Sequence, residues 1–248
     1  MILIKDLCKA FGDHVVLDHI NCRVAHGKTT VFVGPSGVGK SVLIKHMVGL
    51  LYPDEGEVIV EGKDLTKLSE RELYELRKKF GMLFQDAALF DSMTVEENVA
   101  FPLRHHTKKS ESEIGDIVAE KLRQVGMPGT KEMMPSELSG GMRKRVGLAR
   151  ALALDPEIVF FDEPTSGLDP VIAATVDKLI SETQAELGKT FVVISHDIPG
   201  TFAIAHNIGV LFDAKLIEYG PKEEIRESPN PILRQFFARK AEGPIKLV

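Results

Sequence analysis

The sequence predicts an α/β fold: a mostly parallel sheet core, an N-terminal antiparallel β subdomain and an inserted helical subdomain. Three observations predict it. Short apolar strands alternate with helical stretches along most of the chain, which implies a parallel sheet covered on both faces. A glycine-rich loop at Gly34 to Ser41 stands between a strand and a helix. The stretch from Asp86 to Ala153 abandons the alternation and reads as mostly helical.

The elements follow in order. ILIKDL, VVLDHI and TTVFVG (Thr29 to Gly34) read as strands, with His26-Gly27-Lys28 as a turn. Ser41 to Leu50 reads as a helix closed by Gly49, with Pro53 beyond it. EVIVEGKDL (Glu57 to Leu65) alternates around a turn and reads as a hairpin. Ser69 and Glu72 form a capping box ahead of LYELRKK, and Phe80 to Phe84 is a short strand ending at Gln85. Thr94 and Glu97 form a second box, opening a helix through Ala100 that Pro102 ends or kinks. Ser110 and Glu113 form a third; Ile114, Ile117, Val118, Leu122 and Val125 then share one face, and Gly126 caps the end. Met142 to Ala153 and Pro170 to Leu187 read as helices. Glu157 to Asp162, Thr190 to Ser195, Ile208 to Phe212 and Lys215 to Tyr219 read as strands.

Composition narrows the function. The chain has 248 residues, enough for one α/β unit with an inserted lobe, and its 44% hydrophobic and 27% charged content suits a globular fold. A net charge of −5 argues against general nucleic-acid binding. Two cysteines, Cys8 and Cys22, without a CxxC spacing fit neither a disulfide framework nor a zinc site, and they suit a reducing compartment. No apolar run approaches the roughly 18 residues that span a bilayer, and the N-terminus lacks the pattern of a signal peptide. The expectation is a cytoplasmic protein that reaches a membrane only through a partner.

Three blocks carry chemistry. GPSGVGKS matches the phosphate-binding P-loop, G-x-x-x-x-G-K-[ST], in its proper strand–loop–helix setting. Gly34, Pro35, Ser36, Gly37, Val38, Gly39 and Val42 are candidate nucleotide-binding positions: the glycines let the loop's backbone N–H groups turn onto phosphate oxygens, and the helix N-terminus adds a favourable dipole. Lys40 would reach the β/γ-phosphates and Ser41 would offer its hydroxyl to Mg²⁺. IVFFDEP (Ile158 to Pro164) is an apolar strand ending in Asp162 and Glu163, at the strand end where open α/β sheets bind ligands. Asp162 would hold Mg²⁺ and Glu163 would polarise an attacking water; two acids opening a solvated loop is the plainer reading of this block alone. LSGGMRKR (Leu138 to Arg145) places Ser139, Gly140 and Gly141 ahead of a basic helix, as an ordinary serine cap or as an anion site.

Together, GPSGVGKS, LSGGMRKR and IVFFDEP, in that chain order, resemble the Walker A, signature and Walker B segments of ABC-type ATPases, and the resemblance covers nearly the whole chain. It implies a P-loop NTPase of the ABC fold that binds ATP with Mg²⁺. The signature serine and glycines of one subunit would close on the phosphate held by the other, so a homodimer is implied. Met142 stands where that family most often has glutamine. Gln85, ending its strand, is similar to the family's Q-loop residue near Mg²⁺. His196 after VVIS resembles the switch histidine, Asp169 in SGLDP the D-loop aspartate, and Phe11 the aromatic that stacks on adenine. Each has a plainer reading, as a strand cap or a core residue.

The segments around Gln85 and the signature look most like the ATPase of the MCE-type phospholipid transporter, the bacterial system that maintains lipid asymmetry. That likeness implies an integral membrane permease, a periplasmic MCE lipid-binding protein and a place on the cytoplasmic face of the inner membrane. ATPases of small polar-solute importers, such as the amino-acid type, carry the same motifs. ABC proteins that act on ribosomes or DNA usually carry two ATPase domains or a long coiled coil, and neither is present in these 248 residues. The stretch from Asp86 to about Arg104, with Phe90, Met93, Val95, Val99 and Phe101, is the expected permease-docking surface. In the tail, Ile232, Leu233, Phe236 and Phe237 recur at helical spacing. The terminal IKLV, set beyond Gly243-Pro244, is apolar enough to seek a groove, and the expected one lies on the partner protomer, with the chain's own α/β core as the alternative.

Overall fold

Ten strands and nine α-helices are laid out among residues 1–245, which the computed structural model describes. Most of the terminal IKLV segment, Lys246 to Val248, falls outside the described residues. In chain order come β1 (Ile2–Phe11), β2 (His14–Val24), β3 (Thr29–Val33), α1 (Lys40–Met47), β4 (Glu55–Val60), β5 (Lys63–Asp64), α2 (Glu70–Arg77) and β6 (Phe80–Leu83). Then follow α3 (Val95–His106), α4 (Glu111–Gln124), α5 (Gly140–Leu152), β7 (Ile158–Asp162), α6 (Pro170–Leu187), β8 (Thr190–Ser195), α7 (Ile198–Ile204), β9 (Asn207–Phe212), β10 (Lys215–Pro221), α8 (Lys222–Glu227) and α9 (Pro231–Phe237). The described chain divides into two compact units. One comprises Met1–Ala25, Thr29–Thr66 and the chain from Ile194; the other comprises His26–Lys28 and Lys67–Val193.

In the first unit, β2, β1, β4 and β5 form an antiparallel sheet in that order. β1 and β2 run well beyond their apolar cores, because register shifts after Ile4, Leu7 and Lys9 let the pairing continue to Phe11 and His14. Asp6 and His19, at φ 51° and 50°, bend the two strands at these shifts. The hairpin from β4 to β5 turns on Glu61 and Gly62, both with positive φ, as a two-residue turn of this hand requires. β3 pairs in parallel with β9, and β10 closes that set antiparallel to β9.

The second unit holds β6 and β7 in parallel, from Phe80 opposite Ile158 to Leu83 opposite Phe161. All three capping boxes form as the sequence reads: Ser69 with Glu72, Thr94 with Glu97, and Ser110 with Glu113. On α4, Ile114, Val118, Leu122 and the adjoining Val125 are buried, Ile117 is half-buried, and Gly126 follows with φ 68°. α3, α4 and α5 pack on one another, and α5 also lies on β6. That approach is close: a Cβ on Gly81 would stand 2.4 Å from the Ala151 carbonyl oxygen.

Helix α3 departs from expectation. It runs through Pro102 to His106 instead of ending near that residue. An internal proline costs about 3 kcal/mol. Val95, Val99, Ala100 and Leu103 are all buried, and large apolar side chains return roughly 1.5–3 kcal/mol each. Thr107 completes the last turn, giving both its N–H and its hydroxyl to the Leu103 carbonyl. The short helix α8 has no counterpart in the sequence expectation, since six residues carry too little periodicity to register.

The tail helix α9 docks on its own unit. Leu233 is buried, and Phe237 meets Phe202 edge-on at 5.2 Å. Beyond it, the buried Gln235 side chain accepts the Ile245 N–H at 2.6 Å and donates to the Ile245 carbonyl at 3.1 Å.

Asn98, fully buried on α3, holds the loop ahead of the helix. Its Oδ1 accepts the Phe90 N–H at 2.8 Å, and its Nδ2 lies 3.0–3.1 Å from the carbonyls of Phe90, Met93 and Thr94. Leaving a buried polar group unsatisfied costs about 1–3 kcal/mol. Asn98→Ala is therefore expected to lower unfolding free energy by roughly 2–4 kcal/mol, read from the midpoint of a urea titration.

Candidate active site

In the first unit, β3 delivers its chain into the glycine loop. Gly34 could not carry a side chain there: a Cβ would lie 2.2 Å from the Leu211 carbonyl oxygen. Gly39, at φ 94°, abuts Val16, whose carbonyl oxygen would stand 2.7 Å from an added Cβ. Ser36 and Gly37 are exposed, and Pro35, Val38 and Val42 are half-buried. Lys40 is only 5% exposed and donates at 2.8 Å to each of the Gly34 and Pro35 carbonyls. Helices α2, α3 and α4 each begin with a capping side chain and glutamates; α1 begins with neither. Its first N–H groups and positive dipole end meet no acid of the helix itself, which suits an external anion.

The same unit places His196, exposed at the end of β8, beside Pro35 on one cavity of about 240 Å³. α9 and the chain after it supply much of the rest of that wall, including Arg239, which pairs at 3.1 Å with Asp197. Phe11 is 50% exposed, so it is no core phenylalanine, and Lys9 sits 5.5 Å from its ring centre.

The second unit gathers the remaining residues. Ile158 to Phe161 are buried and Asp162 and Glu163 emerge half-buried, Glu163 with φ 48°. Gln85 is exposed just past β6. Ser139 caps α5, its Oγ accepting the Met142 N–H at 3.3 Å. Its hydroxyl proton remains a donor, so cap and anion contact are compatible. Asp169 caps α6, its Oδ1 accepting from Val171 and Ile172 at 3.0 Å. The signature glycines press on this segment: a Cβ on Gly141 would stand 2.6 Å from Ile172 Cγ2. Gly140, Asp86, Arg143, Lys144 and Ser166 to Leu168 line a shared cavity of about 480 Å³. Like α1, α5 has no acid in its first turn.

The family model described as ABC transporter matches residues 17–166. The chain belongs to the ABC transporter family. It is an ATPase of that family, binds ATP and has the ABC ATPase fold. It is 47% identical, over 98% of its length and 70% of the relative's, to the probable ribonucleotide transport ATP-binding protein mkl of Mycobacterium leprae. It is 42% identical, over 97% of its length and 90% of the relative's, to the intermembrane phospholipid transport system ATP-binding protein MlaF of Escherichia coli. Among solved structures, the ADP- and Pi-bound dimer of the ATP-binding cassette MJ0796 superposes with TM-score 0.80 at 31% identity, over 89% of this chain and 98% of that one. No helix among the described residues is long and apolar enough to cross a membrane.

Several residues of this ABC ATPase escaped the sequence reading. Arg150 gives its guanidinium to the Ala87 and Ala88 carbonyls at 2.6 and 2.7 Å, fixing two residues at φ 60° and 48° just after Gln85. Lys144 reaches the carbonyls of Gln85 and Glu163. The basic run RKR was the available signal, but nothing in it says which cation turns inward. Cys8, Asp18 and His19, set apart by sequence spacing, bring ligand-type atoms within 4.8 Å of one another on β1 and β2. Lys215 already pairs with Asp18 there, at 3.3 Å, and Asp6 with His19, at 2.8 Å.

Gly39→Ala should both strain the loop and push Val16 away. Strain of this kind costs about 1–3 kcal/mol. ATP affinity, measured by calorimetry, is expected to fall tenfold or more; unchanged affinity would remove the loop geometry as its determinant.

Proposed function

We propose that this chain is the ATP-hydrolysing subunit of a membrane transporter that moves phospholipid between two membranes. The match to MlaF across nearly the whole of both chains carries this reading. The similarity to mkl supports a second one, transport of ribonucleotides by the same ATPase chemistry. The two units act, on this reading, as one ATPase domain.

The chemistry follows from the residues. Lys40 and the loop N–H groups hold the phosphates, and Phe11 offers an exposed ring to the adenine. Ser41, Gln85 and Asp162 are hard oxygen donors, the set that suits Mg²⁺. Mg²⁺ supplies charge neutralisation on the β/γ-phosphates. Glu163 orients and polarises the attacking water, and His196 donates to the γ-phosphate. Ser139, Gly140 and Gly141 close on the γ-phosphate held by a second protomer, with Asp169 at the same dimer face. The dimeric state of the solved MJ0796 cassette supports that arrangement.

The permease docks on the second unit. Tyr74, Phe84 and Phe90 are exposed, and with Phe101 and Pro102 they line a cavity of about 590 Å³. Val95 and Val99 belong to the core and take no part, which narrows the surface expected from sequence. An exposed apolar groove of this kind fits a helix of an integral partner. The chain would then sit on the cytoplasmic face of the inner membrane, with a periplasmic MCE protein completing the assembly.

Glu163→Gln is expected to cut ATP turnover by a hundredfold or more while ATP binding persists, and Lys40→Ala to weaken binding itself. Near-normal turnover in the first variant would remove Glu163 as the base. With the co-purified permease in liposomes, phospholipid and ribonucleotide are each tested for stimulating turnover, and stimulation by ribonucleotide alone would replace the lipid reading.

Mixing Ser139→Arg protomers with Lys40→Ala protomers tests the dimer. Head-to-tail pairing puts both lesions in one site and leaves the other whole, so turnover should reappear on mixing two inactive proteins. Absence of recovery would mean that each Ser139 serves its own loop.

A further inference from the structure

Strands β6 and β7 pair in parallel, and the last matched residues are Leu83 and Phe161. Two residues beyond that point on each strand stand Gln85 and Glu163. The ladder has ended there, and both carbonyls turn to the same side chain. Lys144, one turn into α5, is 5% exposed and gives its ammonium to the Gln85 carbonyl and, at 3.3 Å, to the Glu163 carbonyl. Lys144 thus extends the pairing of the two strands past the point where their backbones separate.

Both ends of this bridge are restrained turns. Glu163 holds φ 48°, and its carbonyl also accepts the Ser166 N–H at 3.2 Å. On the other side, Arg150 fixes Ala87 and Ala88. A shift of either turn therefore has to carry the ammonium with it. Burial pushes the Lys144 amine below its ordinary value, and the carboxylates of Asp86, Glu163 and Asp162 pull it back up. A methionine would fill similar space without that desolvation cost.

We infer that Lys144 is a positioning residue that ties the Gln85 loop to the Glu163 turn, so that displacement of the loop by a docked permease reaches the carboxylate acting on water. The inference rests on the roles proposed above for Gln85 and Glu163. Cutting the bridge should affect the placement of Glu163 in the transition state more than it affects nucleotide binding.

The test uses the full-length protein. Lys144→Met should lower kcat for ATP hydrolysis tenfold or more with KM within twofold of wild type, and Lys144→Arg, which keeps charge and donors, should recover to within threefold. A Lys144→Met enzyme whose kcat stays within twofold of wild type, or whose loss lies in KM alone, would overturn the inference. Amide hydrogen exchange supplies a readout that does not depend on turnover. In wild type, a non-hydrolysable ATP analogue should change protection at 85–88 and 163–166 together; in Lys144→Met the response at 163–166 should be lost while that at 85–88 persists. Joint responses in the variant would overturn the bridge. If Lys144→Met does not fold, the same exchange experiment on Lys144→Gln decides, since the shorter neutral amide cannot span both carbonyls. Failure of the Glu163 assignment would show separately, as persistent turnover in Glu163→Gln.

Discussion

Buried or half-buried cations held by main-chain oxygens fix the loops on which the chemistry depends. Three loops leave their strands with carbonyls turned away from any ladder. Lys40 takes those of Gly34 and Pro35, Lys144 those of Gln85 and Glu163, and Arg150 those of Ala87 and Ala88. A hydrogen bond to a charged group contributes about 1.5–3 kcal/mol, against a backbone strain of about 1–3 kcal/mol per unusual residue. Such strain persists only where its surroundings over-determine it. Positive φ at Ala87, Ala88 and Glu163 is therefore no accident of a mobile surface.

The fold was legible wherever a local rule had a local cause. Ser69, Thr94 and Ser110 each announced a helix because cap and glutamate lie three residues apart in any chain that adopts one. The limits of β1 and β2 were not legible, since the bends at Asp6 and His19 arise from pairing between strands. Pro102 misled for a related reason. The rule that proline breaks a helix is local, whereas the burial of Val95, Val99 and Leu103 that overrides it is tertiary.

The candidate site divides in the same way. Loop glycines, strand-end acids and the Ser139 cap carry their own spacing. Lys144, Arg150 and Asn98 do not, because a side chain bonding to a distant carbonyl leaves no mark on the sequence around that carbonyl. The meeting of Cys8 with Asp18 and His19 is likewise a product of strand register.

The aromatic groove carries a consequence for observation. The sequence has no tryptophan and three tyrosines. One of them, Tyr74, lies in that groove, half-exposed, with its hydroxyl 3.1 Å from His106 Nδ1. Tyr219 by contrast is set apart, its hydroxyl donating to the Arg23 carbonyl at 2.6 Å and burial pushing its pKa up to about 12. Ultraviolet emission from the unlabelled chain thus comes without a tryptophan background, and one of its three sources stands where a partner helix would settle. The molecule carries its own optical reporter, on the surface where an engineered dye would be in the way.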